Sequence, residues 1–155
     1  MTTARLSKME LSLANKQRAV RVELGWLRAV SEAALEACAQ LSGDGRFALR
    51  ELAEVEVAIV SDAVIARVHV EFMGIAGATD VITFDHGELV ISAQTAAACA
   101  KEHGHSVEEE LALYVVHGLL HLNGYDDMTP VARRGMHAVQ NRVWQALRKR
   151  FPIRR

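Results

Sequence analysis

The chain has 155 residues, of which 50% are hydrophobic, and a formal net charge of −1. These values predict a single globular domain over residues 1–155. No run reaches the roughly 18 apolar residues of a membrane span, and Met1–Lys8 lacks the apolar core of a signal peptide. Only Cys38 and Cys99 are present, which excludes a zinc ribbon and a disulfide framework. We therefore expect a cytoplasmic protein.

The charge is distributed unevenly along the chain. Residues 131–155 contain no Asp or Glu and eight basic residues: Arg133, Arg134, Arg142, Arg148, Lys149, Arg150, Arg154 and Arg155. The remainder holds ten basic and nineteen acidic residues, so a formal −9 stands against +8 in this segment. The basic helix and tail at about 130–155 are therefore predicted to contact a polyanion. The alternative is a solvated helix end whose cations complement the helix dipole.

The first half of the chain alternates between the two periodicities of strands and helices. The predicted elements are strand 9–15, helix 17–40, strand 55–59, helix 63–72, strand 80–84 and strand 88–91. Ser61 suits the N-cap of the second helix. The last two strands flank a short turn at 85–87, so they are predicted to pair as a hairpin.

Three helices are predicted in the second half, at 93–102, 107–122 and 130–150. Ser106 and Glu109 match a capping box, and Thr129 precedes a proline suited to the first helical position. The helix at 107–122 is apolar on most sides, which predicts an interior position. This order of elements predicts an α+β fold in which a mixed, roughly four-stranded sheet packs with about five helices.

The segment 116–127 carries a pattern that suggests chemistry. His117 and His121 stand four residues apart, which places them on one face of a helix about 6 Å apart along its axis. Gly124 suits the left-handed position after a helix, and the reversed chain returns Asp127 toward the histidines. Two nitrogens and one carboxylate with a fourth position open form the ligand set of a catalytic zinc site. The alternative is a structural role for these polar residues.

The spacing of these residues is that of metzincin zinc sites, with one difference. Metzincins carry a glutamate general base directly after the first histidine, whereas this chain has Gly118. This difference removes most of the support for a peptidase. In a zinc hydrolase with this sequence, either the general base lies elsewhere or the metal-bound water acts without a local carboxylate.

Two further blocks accompany the histidine segment: Phe72–Gly74 followed by Ala78–Asp85, and Glu88–Ser92. Together with residues 117–127 they resemble the YbeY family over about 55–144. Members of that family are bacterial metal-dependent endoribonucleases tied to small-subunit ribosomal RNA maturation. The resemblance implies one Zn²⁺ per chain and a groove for single-stranded RNA. It also implies a function in 3′-end processing of ribosomal RNA and ribosome quality control, with the small ribosomal subunit and its proteins as partners.

The resemblance also implies individual site residues. Its zinc ligands correspond to His117, His121 and Asp127, the last of which is most often histidine in the family. Aspartate is a competent zinc ligand, but it lowers the positive charge of the site and shifts the preference toward harder ions. Asp126 is predicted to support the ligands by a hydrogen bond to a backbone amide or to a ligand histidine.

The predicted site departs from the family at the residues that would hold phosphate. Met73 stands where the family has an arginine, so no catalytic residue is assigned beyond the metal ligands. Arg67, one turn earlier on the same helix, is a candidate substitute. Arg133, Arg134 and Arg142 are predicted to contact RNA. The alternative function is a ribosome-associated assembly factor whose metal is mainly structural and which has little nuclease activity.

Overall fold

A four-stranded mixed sheet carries the remaining elements in the computed structural model, which describes residues 9–153. Its strands are β1 Glu10–Asn15, β2 Glu54–Val60, β3 Val81–Phe84 and β4 Glu88–Ser92. The order is β1-β2-β4-β3, in which β1, β2 and β4 are parallel and β3 runs antiparallel to β4. The prediction of a mixed four-stranded sheet is confirmed, and β3 lies at one edge.

Within the described residues, five helices pack with this sheet, as predicted. They are α1 Leu24–Ala39, α2 Asp62–Met73, α3 Ala93–His103, α4 Val107–Leu122 and α5 Pro130–Arg150. The predicted caps form: the hydroxyls of Ser61, Ser106 and Thr129 each accept a backbone N–H of the helix that follows. Ser92 caps α3 in the same way. A short 3₁₀ helix at Ala48–Glu51 was not predicted.

The start of the first helix was predicted wrongly, because α1 begins at Leu24 and not at residue 17. The side chain of Gln17 donates to Asn15 Oδ1 at 3.0 Å and to the Val20 carbonyl at 2.7 Å, and it accepts from the Val20 amide at 2.9 Å. These local side-chain bonds replace helical backbone bonds and hold a bend ahead of α1.

The fourth helix runs through the interior, as its sequence predicts. Leu111, Leu119 and Leu120 are fully buried between the sheet and the surrounding helices, and each contributes roughly 2 kcal/mol through burial of its side chain. Helix α2 covers the opposite face of the sheet through a smaller cluster around Ile65 and Ile82. Within residues 9–153, no helix is both long and apolar enough to cross a membrane.

Candidate metal centre

Helix α4 places two imidazole rings side by side near its C-terminus, on the face that is least buried. The Nε2 atoms of His117 and His121 lie 3.0 Å apart, and both side chains are half-buried. The pair follows directly from the spacing of four residues, since one turn of helix brings such side chains together.

The turn that follows α4 brings the carboxylate of Asp127 close to this pair of histidines. Gly124 adopts a left-handed φ of 92°, and the Tyr125 N–H donates to the Leu120 carbonyl at 3.0 Å across the helix end. The chain then reverses, so that Asp127 Oδ2 lies 3.7 Å from His121 Nε2. One donor atom from each of the three residues lies within 4.8 Å of the other two. The structure therefore brings together the three residues that the sequence singled out.

A buried amide holds this helix end in place. Asn123 is fully buried, and its side chain donates to the carbonyls of Cys38, at 2.8 Å, and Leu41. It also accepts from the Leu49 N–H at 3.1 Å. These partners lie more than 70 residues away in the chain, so sequence reasoning did not find this role for Asn123.

The hydrogen bonds of the two rings leave the facing nitrogens free for a cation. The Tyr125 carbonyl lies 3.0 Å from His121 Nδ1, and a carbonyl oxygen only accepts, so this nitrogen carries the proton. Gln140 Oε1 lies 2.7 Å from His117 Nδ1 and fixes the same tautomer in the neutral ring. Burial lowers the pKa of His117 below its ordinary value, which favours the neutral ring. Two neutral rings then direct lone pairs at each other, an arrangement that a shared cation stabilises.

The contact of Gln140 with His117 was not predicted, although the position of this glutamine on α5 indicates a polar partner. It lies on the inner stripe of α5, between Met136 and Val143, where the neighbouring positions are buried and apolar. A single amide in such a stripe indicates a polar partner on the facing helix, because a buried polar group needs a hydrogen bond.

The three donors open onto a cavity of about 400 Å³ between α4 and the edge strand β3. Its lining consists of Met73, Thr79, Asp80, Val81, Ile82, Thr83, Asp85, His117, His121 and Asp127. Within residues 9–153, no Lys or Arg side chain is part of this lining. Met73 thus occupies the wall of the cavity, whereas the substitute Arg67 is not among its lining residues.

Helix α4 packs closely on strand β4 at the residue after the first histidine. A Cβ atom added at Gly118 would lie 2.7 Å from Leu89 Cδ2, because the helix packs closely on β4 at this point. Any side chain at position 118 would therefore require the Leu89 side chain to move.

Asp126 and the three arginines predicted from the sequence lie at different distances from the candidate metal ligands. Asp126 Oδ1 accepts from the Met128 N–H at 3.0 Å and so stabilises the loop after α4. Arg133 donates to the Asp127 carbonyl at 3.4 Å, next to the site. Arg134 is exposed at the start of α5. Arg142 lies further along this helix, where it lines a groove between α1 and α5.

A second group of donors lies where α3 meets α4. Glu110 Oε2 is 3.4 Å from His103 Nδ1 and also contacts His105 Nε2, and the three residues could hold a metal ion by proximity. Glu110 is buried and His105 is nearly so, whereas His103 is exposed. The sequence analysis did not identify this group, because it joins the end of one helix to the first turn of the next.

Fold and donor cluster together define a small α+β protein whose polar cleft, beside an edge strand, carries groups suited to a metal ion. The model of the family described as endoribonuclease YbeY matches residues 12–148. The chain belongs to the YbeY family of endoribonucleases, as its sequence blocks indicated.

Curated relatives agree with this assignment, and a solved structure shares the fold. An endoribonuclease YbeY of Kineococcus radiotolerans is 37% identical over 59% of this chain and 63% of its own length. That of Frankia alni is 34% identical over 74% of each chain. The solution structure of a Thermotoga maritima protein shares the fold, with a TM-score of 0.60 and 22% identity over 92% of this chain and 90% of its own. The match to the Kineococcus protein thus spans less than two thirds of that relative.

Proposed function

We propose that this protein is a zinc-dependent endoribonuclease that cuts single-stranded RNA and that His117, His121 and Asp127 hold its metal ion. The observation that carries the proposal is the convergence of these three donors on a cleft. Membership of the YbeY family supports the RNA substrate. The proposal extends to 3′-end processing of small-subunit ribosomal RNA, ribosome quality control and a cytoplasmic location.

The residues of the site have separate tasks in this function. A divalent metal supplies Lewis acidity, which polarises a phosphoryl oxygen and makes water more acidic. Gln140 and the Tyr125 carbonyl orient the two rings and hold their protons on Nδ1. Asp127 contributes negative charge, which reduces the net charge of a zinc site by one relative to a third histidine. We therefore propose that the site also accepts harder divalent ions.

Basic residues outside the cleft are suited to attract the RNA chain. Arg133 lies beside the site through its contact with Asp127, and Arg134 is exposed on the same turn of α5. We propose that these two residues, together with Arg142 further along the helix, bind phosphates that flank the cleaved bond.

A second candidate function is a ribosome-associated assembly factor with a mainly structural metal. The observation that favours it is the cleft itself, whose lining carries three aspartates and, in residues 9–153, no cationic side chain. The lack of a carboxylate at Gly118, directly after the first histidine, acts in the same direction.

Cleavage of a single-stranded RNA oligonucleotide by wild type and by His117→Ala, purified identically, separates the two functions. The nuclease proposal expects metal-dependent cleavage that falls at least about 100-fold in the variant. Equal residual cleavage by both proteins would identify a contaminant and favour the assembly factor.

Elemental analysis tests the metal ligands independently of activity. We expect about one zinc per chain in wild type, a loss of most of it in His121→Ala, and retention in His105→Ala. The last variant is the matched control, because it removes an imidazole from the second donor group. Loss of metal in His105→Ala alone would place the ion at the junction of α3 and α4 instead.

A further inference from the structure

The cleft runs along the free edge of strand β3. Among residues 9–153, this strand pairs only with β4, on one side, because it is last in the order β1-β2-β4-β3. Three consecutive residues of the strand, Val81, Ile82 and Thr83, line the cavity together with His117 and His121. Side chains of consecutive strand residues point to opposite faces of a sheet, so a cavity that touches all three lies against the edge of the strand.

The hydrogen-bond pattern shows which backbone groups face this cleft. The Ser92 N–H donates to the Asp80 carbonyl at 3.0 Å, and the Gly87 N–H donates to the Phe84 carbonyl at 2.9 Å. Since bonded and non-bonded pairs alternate in an antiparallel ladder, Ile82 directs its groups at β4. Val81 and Thr83 consequently direct their N–H and carbonyl groups outward.

One of these two outward N–H groups is already occupied. The Val81 N–H donates to Asp80 Oδ1 at 2.8 Å. The Thr83 N–H has no acceptor in the ladder, and no other acceptor within residues 9–153 contacts it. An unused donor therefore lies on the wall of the cleft that faces the two histidines.

The cleft is lined by acidic side chains, so a backbone N–H is a group on its wall that can bind an anionic ligand. Asp80, Asp85 and Asp127 line the cavity, and Met73 stands where the family resemblance places an arginine. The side chains of the lining therefore repel a phosphate, apart from any metal that they hold. A backbone N–H binds phosphate oxygen without needing a cationic side chain.

We propose that the free edge of β3 is a phosphate-binding subsite, in which the Thr83 N–H donates to a non-bridging oxygen of the RNA phosphodiester in the cleft. The inference rests on the proposed nuclease function and adds to it the group that replaces the missing arginine. The phosphate-binding group in this proposal belongs to the backbone of the strand. Binding therefore depends on the N–H group of residue 83 rather than on its side chain.

Two substitutions at one position separate the backbone from the side chain. Thr83→Pro removes the N–H at an edge position where proline is tolerated, because this N–H faces away from the sheet. Thr83→Val keeps the N–H, removes the hydroxyl and retains the branched shape. We expect kcat/KM on a single-stranded RNA oligonucleotide to be roughly 100-fold lower in Thr83→Pro than in Thr83→Val. Equal values in the two variants, with equal zinc content, would overturn the proposal.

An NMR titration of the wild-type protein with the oligonucleotide tests the same hydrogen bond. It requires neither cleavage nor a proline variant that folds. The amide resonance of Thr83 is expected to shift when the zinc-loaded protein binds the oligonucleotide, and more strongly than that of Val81, whose N–H is already bonded. RNA binding without this difference would overturn the subsite. A shift at Thr83 in a protein that cleaves no RNA would instead support the subsite and reject the nuclease function.

Discussion

Gln140 on α5 holds the ring of His117 on α4, with 2.7 Å between its Oε1 atom and Nδ1 of the imidazole. The bond joins two helices across 23 residues of sequence. It fixes the proton on Nδ1 and leaves Nε2 free, as a metal ligand requires.

We predict that Gln140→Ala weakens zinc binding by about 10- to 100-fold, because the ring of His117 loses the group that orients it. Competition with a chromophoric chelator measures this affinity. Gln145→Ala is the matched control, since that glutamine is exposed on the same helix. An unchanged affinity in Gln140→Ala would show that the contact does not support the metal.

Asp127 is predicted to be the third ligand, and its neighbour Asp126 provides the control. Asp127→Ala should lower zinc affinity by at least about 100-fold, because it removes a donor, whereas Asp127→His should retain tight binding. Asp126→Asn keeps an acceptor for the Met128 N–H and is expected to bind zinc like wild type. The same chelator competition measures the zinc affinity of all three variants. A loss of zinc affinity in Asp126→Asn alone would mean that Asp126, and not Asp127, is the third ligand.

The sequence predicted those parts of the site that depend on local geometry. The pairing of His117 and His121 follows from helical periodicity, and the return of Asp127 follows from a glycine at the helix end. Both relationships span only a few residues.

The parts that sequence reasoning missed depend on contacts between distant segments. Asn123 bonds to groups near the end of α1 and at the 3₁₀ helix, and no local pattern marks these as its partners. The wrong start of α1 has a similar cause. The buried amide of Gln17 forms hydrogen bonds that compete with helical backbone bonds, and helix periodicity does not reveal such bonds.

Asn123→Ala is predicted to lower the free energy of unfolding by about 3 kcal/mol, because three backbone groups each lose a hydrogen bond to this buried side chain. Urea unfolding followed by circular dichroism measures the change. Asn141→Ala, at an exposed position of α5, should stay within about 0.5 kcal/mol of wild type. Similar losses in both variants would contradict the bracing role of Asn123.

Glu109 is predicted to make the stability depend on pH in the acid range. Burial raises the pKa of its carboxyl, but hydrogen bonds from Ser106, with the nearby His105 and Arg148, outweigh this and lower the pKa below its ordinary value of 4.5. The Ser106 N–H donates to Glu109 Oε1 at 3.0 Å, and Arg148 Nε lies 3.6 Å from Oε2. The folded state therefore prefers the ionised carboxylate more than the unfolded chain does.

A carboxyl whose pKa is lowered on folding stabilises the protein above its unfolded pKa, and this contribution is lost as the pH falls below 4.5. Glu109→Gln keeps an acceptor for the Ser106 N–H but removes the charge. We expect wild type to exceed this variant by about 1 kcal/mol in free energy of unfolding at pH 7 and to lose that advantage toward pH 3. Urea unfolding across this range measures the difference. Glu102→Gln, at an exposed position of α3, is the control and should show no such trend. If the difference between wild type and Glu109→Gln stays constant with pH, then packing of Glu109, rather than its charge, accounts for the stabilisation.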